Sequence, residues 1–142
     1  MVTGVVGRLC QGGRVAIEFQ VTFDSADPAA HAAFWAEALH YVPPPSGLDQ
    51  SNNWAVLVDP DGAGPRLYFQ RVPEPKTAKN RVHLDLRSVA GVPAERRADM
   101  RETECTRLVA LGATRVRRLE ADGVNDVCIV MQDPEGNEFC LD

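Results

Sequence analysis

Two nearly identical turns constrain what this chain can fold into. DPDG occupies residues 59–62 and DPEG occupies residues 133–136, and each is followed by a short run that contains apolar residues. Aspartate, proline and glycine are the residues that tight turns favour, so each motif predicts a hairpin between two strands. The repetition of this turn indicates that the chain is an internal duplication of one structural unit.

The segments around the first turn define that unit. Apolar and polar residues alternate over 15–24, which is typical of a half-buried strand. Asp27 and Pro28 then predict the start of a helix, with Asp27 as the N-cap, and helix-forming residues follow them. Further strands are predicted at Tyr41, at 54–58 and, after the turn, at 66–71. The first half of the chain therefore has the order strand, helix, strand, strand, strand.

The same order returns in the second half. Alternation over RVHLDLR at 81–87 predicts an opening strand. Apolar spacing over 94–111 predicts a helix, and Gly112 is placed to end it in a left-handed conformation. The remaining strands are predicted at 114–120, 126–132 and 137–141. The sequence therefore predicts one domain made of a flexible lead-in at 1–13, a first βαβββ module at 14–72, a linker at 73–80 and a second module at 81–142.

Bulk composition excludes several classes of protein. Apolar residues make up 44% and charged residues 25% of the 142 residues, which is ordinary for one soluble globular domain. The net charge is −5 and the basic residues form no stripe, so nucleic acid is not an expected partner. No segment approaches the roughly 20 apolar residues that cross a membrane. The four cysteines lack CxxC spacing, which favours reduced thiols in the cytoplasm.

Three segments carry a family resemblance: FDSADPAAHAAFWAEALHY, PEPKTAKNRVHLDL and the ending DPEGNEFCLD. They resemble the superfamily of glyoxalases, bleomycin resistance proteins and extradiol dioxygenases, also called vicinal oxygen chelate proteins, and within it the small glyoxalase-like domain proteins. The resemblance extends from Val15 onward. It implies an α+β fold in which two tandem βαβββ modules form a curved eight-stranded mixed sheet around a cavity, with the helices outside. It also implies a homodimer and, in metal-using members, an ion held by the first and last strands of each module.

Side-chain alternation in those strands predicts which residues reach the cavity. The large apolar residues should face the helices; they are Phe19, Val21, Leu67, Phe69, Val82, Leu84, Phe139 and Leu141. The opposite face then carries Gln20, Gln70, His83 and Cys140, at the positions where the resemblance implies metal ligands. The same face also carries Glu18, Thr22, Tyr68, Arg81, Asp85 and Glu138. Trp54 either belongs to the core or lines the mouth of the cavity.

The residues at the ligand positions depart from those of metal-using relatives, which place carboxylates on the last strand of one or both modules. Gln70 and Cys140 stand there instead. A glutamine amide oxygen is a weak neutral ligand and cannot act as a general base, whereas a cysteine with a histidine could hold zinc. A register shift of two residues would add Asp85 or Glu138 from the same face. We therefore expect a divalent ion (zinc, nickel, iron or manganese) to be bound weakly or not at all.

Several of these residues also have a purely structural interpretation. His83 is either a pocket residue or a core histidine with both nitrogens hydrogen-bonded. Cys140 is either a ligand or a small buried apolar residue. Arg81 and Asp85, which flank His83, form an ion pair in the cavity or reach its rim.

Two classes of function remain. The first is a glyoxalase-like pocket protein that binds a small organic ligand, such as a cationic compound, without performing chemistry. The net charge and the missing carboxylates favour this class. The second is a metal-dependent lyase, isomerase or dioxygenase that acts on a small oxygen-rich substrate, with His83 as the firmest ligand and no catalytic residue assigned.

Overall fold

The structure of the protein, a computed structural model, describes residues 15–47 and 49–142. The expected lead-in at 1–13 lies outside the described residues. The elements in chain order are β1 (Gln20–Ser25), α1 (Pro28–Leu39), β2 (Trp54–Leu57), β3 (Arg66–Arg71), β4 (Asp85–Leu86), α2 (Ala94–Ala110), β5 (Thr114–Leu119), β6 (Cys128–Gln132) and β7 (Glu138–Leu141). Within these residues, no helix is both long enough and apolar enough to cross a membrane.

The first helix begins as the sequence predicts. The Asp27 carboxylate caps it by accepting a hydrogen bond from the Ala30 amide at 3.2 Å, and Pro28 occupies the first helical turn. His40 ends the helix in a left-handed conformation, with φ of 57°. The buried face of α1 carries Phe34 and Trp35, so this helix brings the bulkiest apolar side chains to the core.

The second helix ends against the first. Gly112, which follows it, has φ of 114°, and a residue with a side chain is strained in that region. Near the end of α2, the Arg107 guanidinium donates hydrogen bonds to the carbonyls of Glu37 and Ala38, at 3.1 and 3.4 Å. These carbonyls belong to the last turn of α1, where a positive charge is favourable. Arg107 therefore ties the ends of the two helices together.

The strands form two sheets rather than the single eight-stranded sheet that the resemblance implies. The first has the order β1-β3-β2 and the second the order β4-β7-β6-β5. In each half the first strand runs parallel to the last strand, and the remaining pairs are antiparallel. Val42 and Val58 form only an isolated bridge at the place where the first half was expected to have another strand.

Both opening strands are shorter than the alternation predicts. The first begins at Gln20, and Val15, Ile17 and Phe19 before it are 78%, 92% and 71% exposed. The second comprises Asp85 and Leu86 only, and Val82 is 80% exposed. The prediction that Phe19 and Val82 face the helices is therefore wrong. Alternation identifies the apolar side of a segment, but burial requires a neighbour that covers that side.

One hydrophobic core joins the two halves of the chain. The ring of Trp35 lies 5.4 Å from that of Phe23 on β1 and 5.3 Å from that of Phe139 on β7, measured between centroids. Phe23 also stacks on Phe69 of β3 at 5.1 Å. The side chain of Trp35 is thus in contact with both sheets. Because aromatic rings bury the largest apolar areas, this cluster contributes much of the stability of the fold.

Candidate functional site

A cleft of about 750 Å³ opens between β1, the segment 72–80, the residues 82–84 that lead into β4, and the residues 134–139 that lead into β7. We call it the β1–β4 cleft. Its apolar wall includes the half-buried Phe23, and Trp35 and Phe139 lie behind that wall with only 1% of each exposed. Its charged groups are four carboxylates and one lysine, namely Asp24, Glu74, Glu135, Glu138 and Lys76. The cleft therefore combines an aromatic wall with an excess of negative charge.

Glu138 fixes the segment 73–80 along one side of this cleft. Its carboxylate accepts a hydrogen bond from the Asn80 amide at 3.1 Å and lies 3.5 Å from the Lys76 ammonium. The Asn80 side chain in turn accepts a hydrogen bond from the Glu138 amide at 2.8 Å. Burial alone would raise the pKa of Glu138, but the Asn80 amide and the Lys76 charge hold that pKa below its usual value. Glu138 is therefore ionised at neutral pH.

Glu135, from the second half of the chain, binds the backbone just before the first helix. Its two carboxylate oxygens accept hydrogen bonds from the amides of Ala26 and Asp27, at 2.6 and 3.2 Å. The unpaired amides at a helix start favour negative charge. The DPEG turn thus attaches to the first half of the chain beside the β1–β4 cleft.

A buried polar row, which the sequence analysis did not single out, lies behind this turn. His31 lies 2.6 Å from the Ser25 hydroxyl through Nδ1 and 2.6 Å from the Asp133 carboxylate through Nε2. Trp35 donates a hydrogen bond to the same carboxylate at 3.1 Å. Burial would raise the pKa of Asp133, but the His31 imidazole and Asn137 keep that pKa below its usual value. The sequence held a signal for this row. His31 precedes Trp35 by four residues, so the two share the apolar face of the predicted helix, and a histidine buried there needs hydrogen-bond partners.

The order serine, histidine, aspartate in this row is that of a hydrolase triad. Ser25, His31 and Asp133 are only 1%, 1% and 2% exposed, however. None of the three lines the β1–β4 cleft. A nucleophile must reach its substrate, so this row has the placement of a structural junction between the two halves.

A second cleft, also of about 750 Å³, opens beside β4, β6 and β7. We call it the β4–β6 cleft. His83 Nε2 lies 3.1 Å from the Asp85 carboxylate there, and the donor atoms of His83, Asp85 and Cys140 all lie within 4.8 Å of one another. Cys128 and Asp142 also line this cleft. The structure thus brings His83 and Cys140 to the same side of the sheet.

The thiols in this cleft are fully protonated at neutral pH. Burial raises the pKa of Cys140 to about 12, and the neighbouring Cys128 thiol adds to the shift. Burial likewise raises the pKa of Cys128. A metal that binds these thiols must therefore displace their protons.

The two glutamines lie on the first sheet and are not brought together. Gln20 is paired with Arg66, whose guanidinium donates to the Gln20 amide oxygen at 2.6 Å. Gln70 stands four residues further along, roughly 13 Å away in the backbone, and donates to Asp24 at 2.8 Å. The amides of Gln20 and Gln70 are therefore engaged separately.

The strand registers relate the two halves. Asp85 stands opposite Cys140 in the second half, and Asp24 stands opposite Gln70 in the first, so Gln70 and Cys140 each lie opposite an aspartate of the opening strand. Tyr68, two residues before Gln70, is stacked against Trp54 with ring centroids 6.3 Å apart.

The remaining predicted site residues lie at the edges of these features. Trp54 is 37% exposed at the start of β2. Arg81 is exposed, and it precedes His83 by two residues. His83 lines both clefts, so it lies between them. Glu138 lines the β1–β4 cleft and does not line the β4–β6 cleft.

The β4–β6 cleft brings together three kinds of donor atom that can bind a metal. An imidazole, a carboxylate and a thiol within 4.8 Å of one another suit zinc, which accepts nitrogen, oxygen and sulfur ligands. The side chains of His83 and Asp85 are 42% and 50% exposed, so an ion could enter from solvent. The residues present therefore fit a borderline-soft divalent ion.

Comparison with known proteins places the chain in one structural group. A family model described as glyoxalase-like domain matches residues 20–141. A glyoxalase/bleomycin resistance protein/dioxygenase family enzyme from Burkholderia phytofirmans has a similar structure, with a TM-score of 0.66, 16% identity, and coverage of 86% of this chain and 94% of that chain. A glyoxalase-related enzyme from Fulvimarina pelagi gives a TM-score of 0.57 and 18% identity, with coverage of 91% and 86%.

A third similar structure holds ligands. It is a variant of the fosfomycin resistance protein FosX from Listeria monocytogenes, complexed with Mn(II) and dihydroxypropylphosphonic acid. Its TM-score is 0.66 at 13% identity, and the match covers 90% of each chain. Identities this low are informative about the fold alone. A comparison with curated proteins found no match.

Proposed function

Because the chain belongs to the glyoxalase-like domain family of the vicinal oxygen chelate superfamily, we propose that it is a small-molecule pocket protein whose ligand lies in the β1–β4 cleft. A volume of about 750 Å³ suits a small organic compound. The observation that carries the proposal is the pairing of an aromatic wall with an excess of carboxylates in this cleft. Aromatic rings favour an apolar or aromatic body, and carboxylates favour a positively charged group.

Charge decides which compounds the cleft would favour. Asp24, Glu74, Glu135 and Glu138 face it with Lys76 as the one ammonium group on its walls. Glu135 and Glu138 are already engaged by backbone amides, whereas Asp24 meets only the neutral amide of Gln70. Of the two remaining carboxylates, Glu74 lies on the irregular segment 72–80, whereas Asp24 lies on β1, so Asp24 is the carboxylate that we propose to pair with a ligand ammonium group.

Matched ligands test this proposal. Phenethylamine and phenethyl alcohol share an aromatic body and differ in charge, and titration calorimetry should give roughly tenfold tighter binding for the amine, a difference of about 1.4 kcal/mol. Asp24→Asn should remove that preference and leave the affinity for the alcohol unchanged. Asp61→Asn removes the same charge from the exposed DPDG turn and serves as the control. Equal affinities for both compounds, or binding of neither, would count against the proposal.

A second candidate function is a metal-dependent lyase, isomerase or dioxygenase acting on a small oxygen-rich substrate. The grouping of His83, Asp85 and Cys140 favours it. A divalent ion held there would polarise paired oxygens of a substrate. The FosX structure, which contains Mn(II), supports metal-assisted chemistry on this fold. In this candidate function, the substrate pocket would also be lined by residues predicted from the sequence, namely Gln20, Gln70, Trp54, Tyr68 and Arg81.

Elemental analysis separates the two candidates. Protein purified without chelators should be measured for zinc, nickel, iron and manganese, and the measurement repeated on His83→Ala. A stoichiometric metal that is lost in the variant would favour the enzyme. A metal-free protein that still binds phenethylamine would favour the pocket protein.

We also propose that the protein is a cytoplasmic homodimer. Val15, Ile17 and Phe19 are exposed, and they continue from β1, which is the edge strand of its sheet. An unpaired edge with apolar side chains is a surface that a second copy can cover.

A further inference from the structure

Arg101 is a buried arginine whose hydrogen bonds are incomplete. It lies on α2 at the floor of the β4–β6 cleft, and only 1% of it is exposed. Its Nη2 donates to the half-exposed Asp126 carboxylate at 3.2 Å. Within residues 15–47 and 49–142, which the structure describes, the Arg101 Nε has no hydrogen-bond partner. Because a buried donor without a partner is unfavourable, this atom marks a position where an acceptor can bind.

The shape of the guanidinium group indicates which acceptor would fit. Nε and Nη2 donate in parallel, so together they match the two oxygens of one carboxylate. Arg107 on the same helix shows this arrangement completed, because its Nε and Nη2 donate to the two oxygens of Glu104 at 2.9 and 2.6 Å. In Arg101, Asp126 engages Nη2 alone. This pair of donors, which we call the Arg101 fork, is therefore half filled.

The charges next to the Arg101 fork favour an anion. The Arg97 guanidinium, one helical turn before Arg101, lies 3.8 Å from the same Asp126 carboxylate and donates to the Val92 carbonyl at 2.8 Å. Two guanidinium groups thus share one carboxylate. Arg87, which is exposed, also lines the cleft. The floor of the cleft therefore has positive charge that Asp126 does not fully neutralise.

Other carboxylates around the cleft limit the charge that a ligand can carry. Three of them have nearby partners, namely His83 for Asp85 at 3.1 Å, Arg118 for Glu120 at 2.8 Å and the Asn125 amide for Asp122 at 2.7 Å. Asp142 adds a further negative charge to the cleft. Because like charges repel, a ligand with one negative charge fits this cleft better than a ligand with two.

Apolar side chains of the same cleft are open to solvent. Leu119 and Val124 line it and are 44% and 91% exposed, and Val127 lines it as well. They offer a surface to the apolar part of a ligand. The cleft volume of about 750 Å³ suits a small organic molecule.

We propose that the β4–β6 cleft binds a small organic acid with one carboxylate, which accepts hydrogen bonds from both Nε and Nη2 of Arg101. The half-exposed Asp126 side chain occupies one donor of the Arg101 fork and is displaced by the ligand carboxylate. Leu119 and Val124 contact the apolar part of the acid. This inference goes beyond the proposed function, since it needs neither a ligand in the β1–β4 cleft nor a metal at His83.

Phenylacetate and phenylacetamide test the Arg101 fork, because they share an aromatic body and differ in the carboxylate. Titration calorimetry should give phenylacetate binding that is roughly tenfold tighter or more. Arg101→Met keeps an apolar side chain of similar length without the donors, so it should bind the two compounds equally. Arg101→Lys keeps the charge without the parallel donors and should restore only part of the preference.

Asp126→Asn gives a test in which Arg101 is intact. It removes the negative charge that competes for the Arg101 fork, so phenylacetate should bind roughly threefold tighter or more than to the wild type. Glu120→Gln is the matched control, because it removes a carboxylate from the same cleft that pairs with Arg118 and not with Arg101. Its gain should be smaller. Equal gains in the two variants would indicate a general effect of charge and would overturn the role of the fork.

Two results with the wild type and Arg101→Met would also overturn the inference. One is equal binding of phenylacetate and phenylacetamide to the wild type, or binding of neither. The other is an undiminished preference for phenylacetate in Arg101→Met that circular dichroism shows to be folded. Tighter binding of phenylphosphonate than of phenylacetate would overturn the assignment to a singly charged ligand.

Phenethylamine separates this inference from the proposed function. Its binding reports on the β1–β4 cleft and should be unchanged in Arg101→Met. Failure of phenethylamine to bind the wild type, together with a phenylacetate preference that is lost in Arg101→Met, would reject the proposed function and support the Arg101 site.

Discussion

At the residue scale, Asp133 illustrates how one carboxylate can connect two halves of a chain. It begins the DPEG turn, where it accepts hydrogen bonds from the amides of Glu135 and Asn137. On its other side it meets His31 and Trp35 of the first helix. The residue at the same position of the first turn, Asp59, bonds only to backbone amides of its own turn. The two turns are thus alike in sequence and differ in what they hold together.

Removing this carboxylate should destabilise the fold. Asp133→Ala leaves His31 Nε2 and Trp35 Nε1 buried without the carboxylate that they share, and we expect the free energy of unfolding to fall by about 3–5 kcal/mol. Urea denaturation followed by tryptophan fluorescence measures the change. Asp59→Ala is the matched control and should cost only about 1 kcal/mol. Equal losses in the two variants would refute the special role of Asp133.

Asp133 should also contribute to the acid sensitivity of the protein. Its pKa is lower in the folded state than its usual value of about 3.9, so its contribution to stability is present above that usual value. The contribution is lost as the pH falls through the lower, folded-state pKa. The free energy of unfolding should therefore decline more steeply on acidification in the wild type than in Asp133→Asn. Parallel pH profiles for the two proteins would contradict this expectation.

At the element scale, the linker predicted at 73–80 is held more firmly than a flexible connection would be. Asn80 donates from its side chain to the carbonyls of Val82 and Glu138, at 2.5 and 3.2 Å, and accepts from the Glu138 amide. Prolines in this segment indicated an irregular chain path, which the structure has. The sequence did not indicate the attachment to β7, because a hydrogen bond between residues 58 positions apart leaves no local pattern.

Loss of this attachment should release the segment from the wall of the β1–β4 cleft. In Asn80→Ala the Glu138 amide loses its partner, and we expect trypsin to cleave faster after Lys76 or Lys79. Mass spectrometry of the fragments locates the cuts. Asn53→Ala provides the control, since the Asn53 side chain bonds only to Ser51 at the surface. Unchanged cleavage in Asn80→Ala would show that other contacts hold the segment.

At the scale of the whole molecule, an exposed apolar segment continues from the edge of the first sheet. A second copy that covers Ile17 would remove a large apolar side chain from water, which favours association. Light scattering at micromolar concentration should give the mass of a dimer for the wild type and that of a monomer for Ile17→Asp. Val124→Asp changes an equally exposed residue on a loop and should stay dimeric. A monomeric wild type would reject the homodimer.

Local patterns were sufficient to predict most of the elements. Turn residues, the Asp27 cap and periodicity predicted both helices and the hairpins, because these signals depend on neighbours in the chain. The same reasoning placed His83 and Cys140 on one face, and the structure has them close together. It extended the opening strands too far at Phe19 and Val82, since an alternating segment becomes a strand only where another strand pairs with it.

By itself, the sequence predicted the duplication and determined the family resemblance and the types of residue available for chemistry. Only the tertiary structure decided that the strands form two sheets, that His31 meets Asp133 between the two halves of the chain, and that Asn80 is attached to Glu138. The reason is physical: each of these contacts forms between residues distant in the chain, and their meeting depends on strand register and on shared burial.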